Sequence, residues 1–228
     1  MLVVFDVDGT LIGGESADWA AFDGALYSVL SFRPPDDFYS RVADVTAQRL
    51  AEAAVIDSRQ MIGCGLEERI QAEYLRGLRL AHESDSEAFP VRPGVLHLLD
   101  HLRSLPDVEV ALATGDWLSS ISFKLSAAGL DVSDLPLATS SDASSRADII
   151  RCATARAGRS LSDVVYVGDG TWDLRTCRQL GIPFIGTGSR TERLREMSSE
   201  HIVEPLHTPA FMSTFQIIRD SLHNTNYK

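Results

Sequence analysis

Lysine is nearly missing from this 228-residue chain, with only Lys124 and Lys228 present. Lysine and arginine together number 21 against 32 acidic residues, a formal net charge of −11, and the arginines are scattered. That balance excludes broad binding to nucleic acid or to an anionic membrane surface. An anionic substrate must therefore be drawn in by a local feature. Cysteine is scarce as well. Cys64, Cys152 and Cys177 lie far apart with no CxxC or Cys/His ligand spacing, so they read as reduced thiols of a cytoplasmic protein. No apolar run approaches the roughly 20 residues that span a bilayer. The opening Leu2-Val3-Val4-Phe5 is too short for a signal-peptide core and is interrupted by Asp6 and Asp8. Neither GxGxxG nor GxxxxGK[ST] occurs, which removes dinucleotide-dehydrogenase and P-loop readings.

Leu2 to Phe5 is a continuous apolar run, which suits a strand buried on both faces of a parallel sheet. Similar runs recur at 108–113, 164–167 and 183–185, and helical patterns fill 94–104, 117–128, 147–157, 172–180 and 209–223. Alternating strands and helices predict a doubly wound α/β, Rossmann-like sheet. Residues 13–89 break this rhythm. Helical stripes run through Trp19, Phe22, Leu26, Val29 and Leu30, then Tyr39, Val42, Ala43, Leu50, Ala53 and Ala54, then Leu66, Ile70, Tyr74 and Leu78. Pro34-Pro35 separates the first two stripes and Gly63-Cys64-Gly65 precedes the third. The expected organisation is a core of residues 1–12 and 90–228 with an α-helical domain, 13–89, inserted after the first strand. Gly13-Gly14 and Pro90 to Gly94 read as its hinges.

The chemistry-bearing residues follow the strands. In open α/β sheets ligands bind at the carboxyl ends of the strands. The first strand ends in Asp6-Val7-Asp8-Gly9-Thr10, whose paired acids suit a nucleophile beside an acid/base, or a metal site. Two apart, they would share a face in a regular strand. The second strand ends in Thr114-Gly115-Asp116 before a helix, an arrangement suited to phosphate. Another ends in Gly168-Asp169-Gly170-Thr171-Trp172-Asp173, whose two carboxylates could hold a divalent cation that Asp6 also touches. Trp172 reads as packing that holds this turn. His97, Asp100 and His101 have ligand spacing but read as a solvated helix face.

VVFDVDGTLI, ALATG and VVYVGDGTWD resemble motifs I, II and IV of the haloacid dehalogenase superfamily, and the inserted helices resemble its cap domain. The resemblance implies an aspartyl-phosphate on Asp6, with Asp8 protonating the leaving alcohol and then activating water. It implies Mg²⁺ held by Asp6, the backbone carbonyl of Asp8, Asp169 and, directly or through water, Asp173. Thr114 and the amide of Gly115 would hold the phosphoryl oxygens. Dehalogenation is not implied, because the dehalogenases lack the second aspartate of motif I. Asp6 is expected to raise the pKa of Asp8 by repulsion.

The family usually places a lysine between motifs II and IV. Lys124 lies about 15 Å along the helix axis from Thr114 and is expected not to reach. Arg146 stands at the right remove, after Ser144-Ser145 and with Asp148 suited to a capping box, and takes the cationic role. The expectation is a cytoplasmic, phosphoglycolate-phosphatase-like enzyme, monomer or homodimer, acting on a small phosphorylated metabolite and binding neither nucleic acid nor membrane. The alternatives are a mutase of the β-phosphoglucomutase type and a non-catalytic regulator that binds a phosphometabolite.

Overall fold

The computed structural model describes residues 1–60 and 65–225. Its centre is a parallel sheet built from β1 (Leu2–Phe5), β2 (Glu109–Ala113), β3 (Leu137–Ala138), β4 (Val164–Gly168) and β5 (Phe184–Gly186), in the order β3-β2-β1-β4-β5. Phe5 of β1 stands opposite Leu112 of β2 and Val167 of β4. Strand side chains alternate between faces. Val3 and Phe5 accordingly pack against α5 (Val95–Arg103), α6 (Leu118–Ala127) and α10 (Thr208–Thr225), in one cluster that includes Leu98, Ile121 and Phe211. Leu2 and Val4 face α7 (Arg146–Arg156), α8 (Thr171–Leu180) and α9 (Thr191–Glu196), through Ile149, Leu174 and Leu194. This is the predicted doubly wound α/β sheet.

The pattern did not predict β3 or α9. Two residues are too few to show a period, and α9 spans only six residues.

Between β1 and α5 lie α1 (Glu15–Leu30), α2 (Phe38–Arg41), α3 (Ala47–Asp57) and α4 (Leu66–Ser84). They bury a second cluster around Phe22, Leu26, Leu50, Ala54, Ile70 and Leu78, which Trp117, at the start of α6, joins from the sheet side. The second stripe, expected as one helix, is two. Residues 42–46 are not helical, and the Thr46 hydroxyl caps α3 by accepting from the Arg49 N–H at 3.2 Å. Positions 61–64, with Cys64 and most of the Gly63-Cys64-Gly65 signal, lie outside the described residues. The chain leaves and rejoins the sheet at neighbouring points: Ile12 bridges Val91, and the Gly13 N–H donates to Pro90 O at 2.8 Å. At Gly77 a Cβ would stand 3.0 Å from the Ala21 Cβ, so α1 and α4 approach as closely as side chains permit. Ile70 of α4 is fully buried in that second cluster. Ile70→Ala should destabilise the protein by about 2–5 kcal/mol, measured by chemical denaturation.

Candidate active site

β1, β2 and β4 are adjacent, so Asp6, Thr114 and Asp169, each one residue beyond its strand, emerge side by side. Gly9 makes the tight approach possible. It sits at φ +77°, and a Cβ there would lie 2.4 Å from Asp169 Oδ2. Asp173 joins from the first turn of α8, its Oδ2 accepting from the Gly170 N–H at 3.0 Å. Asp6, Asp169 and Asp173 are buried, and each offers an oxygen within 4.8 Å of the others.

Three anions in a dry site resist ionisation. Burial, followed by the charge of Asp173, raises the Asp6 pKa to about 7. Asp169 rises to about 7 and Asp173 to about 6, burial leading in both. Asp6 Oδ1 and Asp169 Oδ1 are buried without hydrogen-bond partners. Orphaned carboxylate oxygens at this spacing are the hard donors that Mg²⁺ or Ca²⁺ takes, so the residues fit a divalent cation.

Arg146 opens α7, whose N-cap is Ser145, with the Asp148 N–H donating to Ser145 Oγ at 3.1 Å. Its Nη1 lies 2.7 Å from Asp173 Oδ1 and 3.5 Å from Asp6 Oδ1. Burial opposes its charge, but Asp173 and Asp6 outweigh burial and hold it protonated. Nε donates to Val45 O at 3.0 Å, so residues between α2 and α3 orient the guanidinium. Gly115 lies beneath it, where a Cβ would be 2.8 Å from Arg146 Nη2 and 2.9 Å from Val45 O. Thr114 is buried, and its hydroxyl accepts from the Asp116 N–H at 3.2 Å. The candidate phosphate residues Thr114, Gly115 and Arg146 are thus contiguous with Asp6.

Asp8 does not share Asp6's surroundings. The strand ends at Phe5, and Asp8 Oδ1 meets Lys124 Nζ at 2.6 Å. Lys124 therefore reaches the site, contrary to the axial estimate. Residues 114–117 are non-helical, leaving only six helical steps, about 9 Å. The long side chain also leans back toward the helix N-terminus, which faces the sheet edge. The Asp8 carboxyl is held well above its usual range mainly by burial; Lys124 opposes this, and Asp18 and Asp116 add to it. The carboxylates that contribute most are Asp18 and Asp116 rather than Asp6, the expected source of the repulsion.

Arg190, between β5 and α9, had no motif to mark it. It pairs with Asp169 Oδ2, and its guanidinium carbon stands 5.1 Å from the centre of the Trp172 ring. Arg146 lies over the same ring at 5.6 Å, so Trp172 meets two guanidinium groups as well as packing on the turn, where a Cβ at Gly170 would strike its ring. Arg190's one sequence signal is its place just beyond the carboxyl end of a strand. His97, Asp100 and His101 stay apart from this cluster; His97 and Asp100 are exposed on α5. Among the described residues no helix is long and apolar enough to cross a membrane.

A cavity of about 70 Å³ separates the sheet edge from the inserted helices. Asp6, Asp8, Thr114 and Arg146 line one side, and Trp19 and Phe22 of α1 line the other. It has room for several waters or a phosphoryl group.

The family model for haloacid dehalogenase-like hydrolases matches residues 1–181. Protein CbbY, plasmid, of Cupriavidus necator is 26% identical over 196 residues, covering 81% of this chain and 77% of that protein. A hydrolase from Pseudomonas syringae superposes with a TM-score of 0.74 at 20% identity, over 95% of this chain and 98% of its own. A β-phosphoglucomutase from Clostridium difficile superposes with a TM-score of 0.72 at 14% identity, over 100% and 99%.

Proposed function

The chain belongs to the haloacid dehalogenase-like hydrolase family, and from that premise we propose a Mg²⁺-dependent phosphatase acting on a small phosphomonoester in the cytoplasm. One observation carries the reading. Asp6 stands buried between a carboxylate cluster and a buried arginine, while the second motif I aspartate is held apart by its own cation. That is the division of labour a nucleophile and an acid/base require.

Asp6 attacks phosphorus and becomes the aspartyl-phosphate. Arg146, oriented by Val45 O and Asp173, holds phosphoryl oxygens together with Thr114 and the Gly115 amide. Asp8 gives its proton to the departing alkoxide, and its carboxylate then takes one from the water that hydrolyses the intermediate. Asp6, Asp169, Asp173 and the Asp8 carbonyl would hold Mg²⁺, which offsets repulsion between carboxylate and phosphate when bound. Asp169 would exchange its Arg190 partner for the ion.

Residues 13–89 act as a cap. The hydrogen bonds from the Ala47 N–H to Gly115 O at 2.7 Å and from Thr46 Oγ1 to Ser144 O at 2.9 Å dock them on the core. Docked, they exclude bulk water from the transfer. A monomer or homodimer suffices, since one chain supplies every residue of the site.

The test is inorganic phosphate release from a panel of phosphomonoesters with Mg²⁺. Release without a bisphosphate activator is expected. Isomerisation of a hexose phosphate far faster than its hydrolysis would replace this reading by the mutase, and binding without turnover of any ester by the regulator. Arg146→Ala should lower kcat/KM on the order of 10²–10³-fold, with Arg146→Lys retaining a measurable part. Equal loss in both variants would mean that charge at this position is not what matters.

A further inference from the structure

Lys124 is buried at the junction of the sheet edge and the inserted helices. Its Nζ lies 2.6 Å from Asp8 Oδ1, 2.7 Å from Asp18 Oδ1 and 2.9 Å from Asp116 Oδ2. The Tyr74 hydroxyl donates to Asp18 Oδ1 at 2.5 Å and stands 3.4 Å from the amine. An ammonium group has three protons, and three carboxylates here account for them.

The partners come from two places. Asp8 and Asp116 follow β1 and β2, so they belong to the sheet edge whatever the inserted helices do. Asp18 is on α1 and Tyr74 on α4. The amine's coordination is therefore complete only with both helices docked. A buried ion network of this kind adds little stability over apolar packing of the same volume, but it specifies one geometry. Other fixed points of docking, among them residues 44–48 against Gly115, Ser144, Arg146 and Trp117, leave Asp8 untouched.

We propose that Lys124 is a positioning residue that aims the Asp8 carboxyl group into the cavity, and that Asp18 ties this positioning to docking of the inserted helices. The proposal rests on the phosphatase reading with Asp8 as acid/base. With α1 and α4 undocked, the amine loses Asp18 and Tyr74, and Asp8 is no longer held against a three-point anchor. Protonation of the leaving group is then confined to the closed state, where water is excluded. A residue 106 positions from Asp18 in sequence thereby links the closing segment to the proton donor.

Lys124→Met removes the amine at nearly constant length. With an alkyl phosphate, whose alkoxide needs a proton, its kcat/KM, which reports phosphoryl transfer to Asp6 and not the later hydrolysis common to all esters, should fall on the order of 100-fold. With 4-nitrophenyl phosphate, whose leaving group departs without one, the fall in kcat/KM should stay below about tenfold, whatever happens to the shared hydrolysis step in kcat. Asp18→Asn should show the same split at smaller size, because the core partners of Lys124 remain. A small alkylammonium ion added to Lys124→Ala should restore alkyl-phosphate turnover in part. Equal losses on both esters, in variants that melt like the parent, would reduce Lys124 to a structural residue and overturn the proposal. A split in Lys124→Met without one in Asp18→Asn would overturn the tie to docking. Should Lys124→Met fail to fold, Asp18→Asn carries the comparison. Asp8→Asn serves as reference: if it shows no split, the acid/base reading of Asp8 has failed, which is distinguishable from failure at Lys124 alone.

Discussion

Asp6→Asn should lose phosphate release on the order of 10⁴-fold or more while folding at least as well as the parent. The first half follows from replacing the attacking carboxylate by an amide that cannot form the acyl phosphate. The second follows from the site's electrostatics. Burial and Asp173 raise the Asp6 pKa to about 7, so at pH 8 its ionised form is held in the native state at a cost. A neutral amide of the same shape removes that cost and leaves Arg146 its 2.7 Å partner Asp173. The metal-free variant should therefore melt at or above the parent temperature at pH 8. Measured together, the two numbers separate a lost nucleophile from a lost fold. A variant that turns over within tenfold of the parent would remove Asp6 from the mechanism.

The second large effect is the dependence of stability on pH and metal. Asp6, Asp169 and Asp173 start from 3.8 in the unfolded chain and stand at about 7, 7 and 6 in the folded, metal-free protein. Between those limits the native state holds protons that the unfolded state has released. Raising the pH through that window therefore costs stability. The melting temperature of the metal-free protein should fall from pH 5 to pH 7 and level off above. Mg²⁺ competes with those protons, so it should stabilise strongly at pH 8 and weakly at pH 5. At a hundredfold excess over Kd, binding contributes about 2.7 kcal/mol. At about 2–4 °C per kcal/mol that is a rise of about 5–11 °C. Differential scanning calorimetry across pH, with and without the ion, reads this independently of turnover. A melting temperature indifferent to Mg²⁺ at pH 8 would show that the carboxylates do not form the metal site. In the activity assay, exhaustive chelation should abolish turnover and Mg²⁺ should restore it. Ca²⁺, which takes more ligands at longer distances, should support it poorly.

Local patterning determined the sheet and the residues at its edge. A four-residue apolar run ending in Asp-Val-Asp-Gly can hardly be other than a buried strand delivering carboxylates to a crevice. The same holds where Thr114 and Asp169 close β2 and β4. Parallel strands all present their carboxyl ends at one edge, so the candidate cluster of Asp6, Asp169 and Asp173 is legible in the sequence. The Arg146 assignment also came from local signals, a capping serine and a spacing. What the sequence could not determine was which cation meets which carboxylate. Lys124 stood too far along its helix by axial distance, and Arg190 belonged to no motif, yet each pairs with a site aspartate. Those pairings depend on how far long side chains lean, where a helix begins and how two helices inserted elsewhere in the chain dock. The Lys124 network joins residues 8, 18, 74, 116 and 124. No local period relates those positions, because packing alone sets the distances between them.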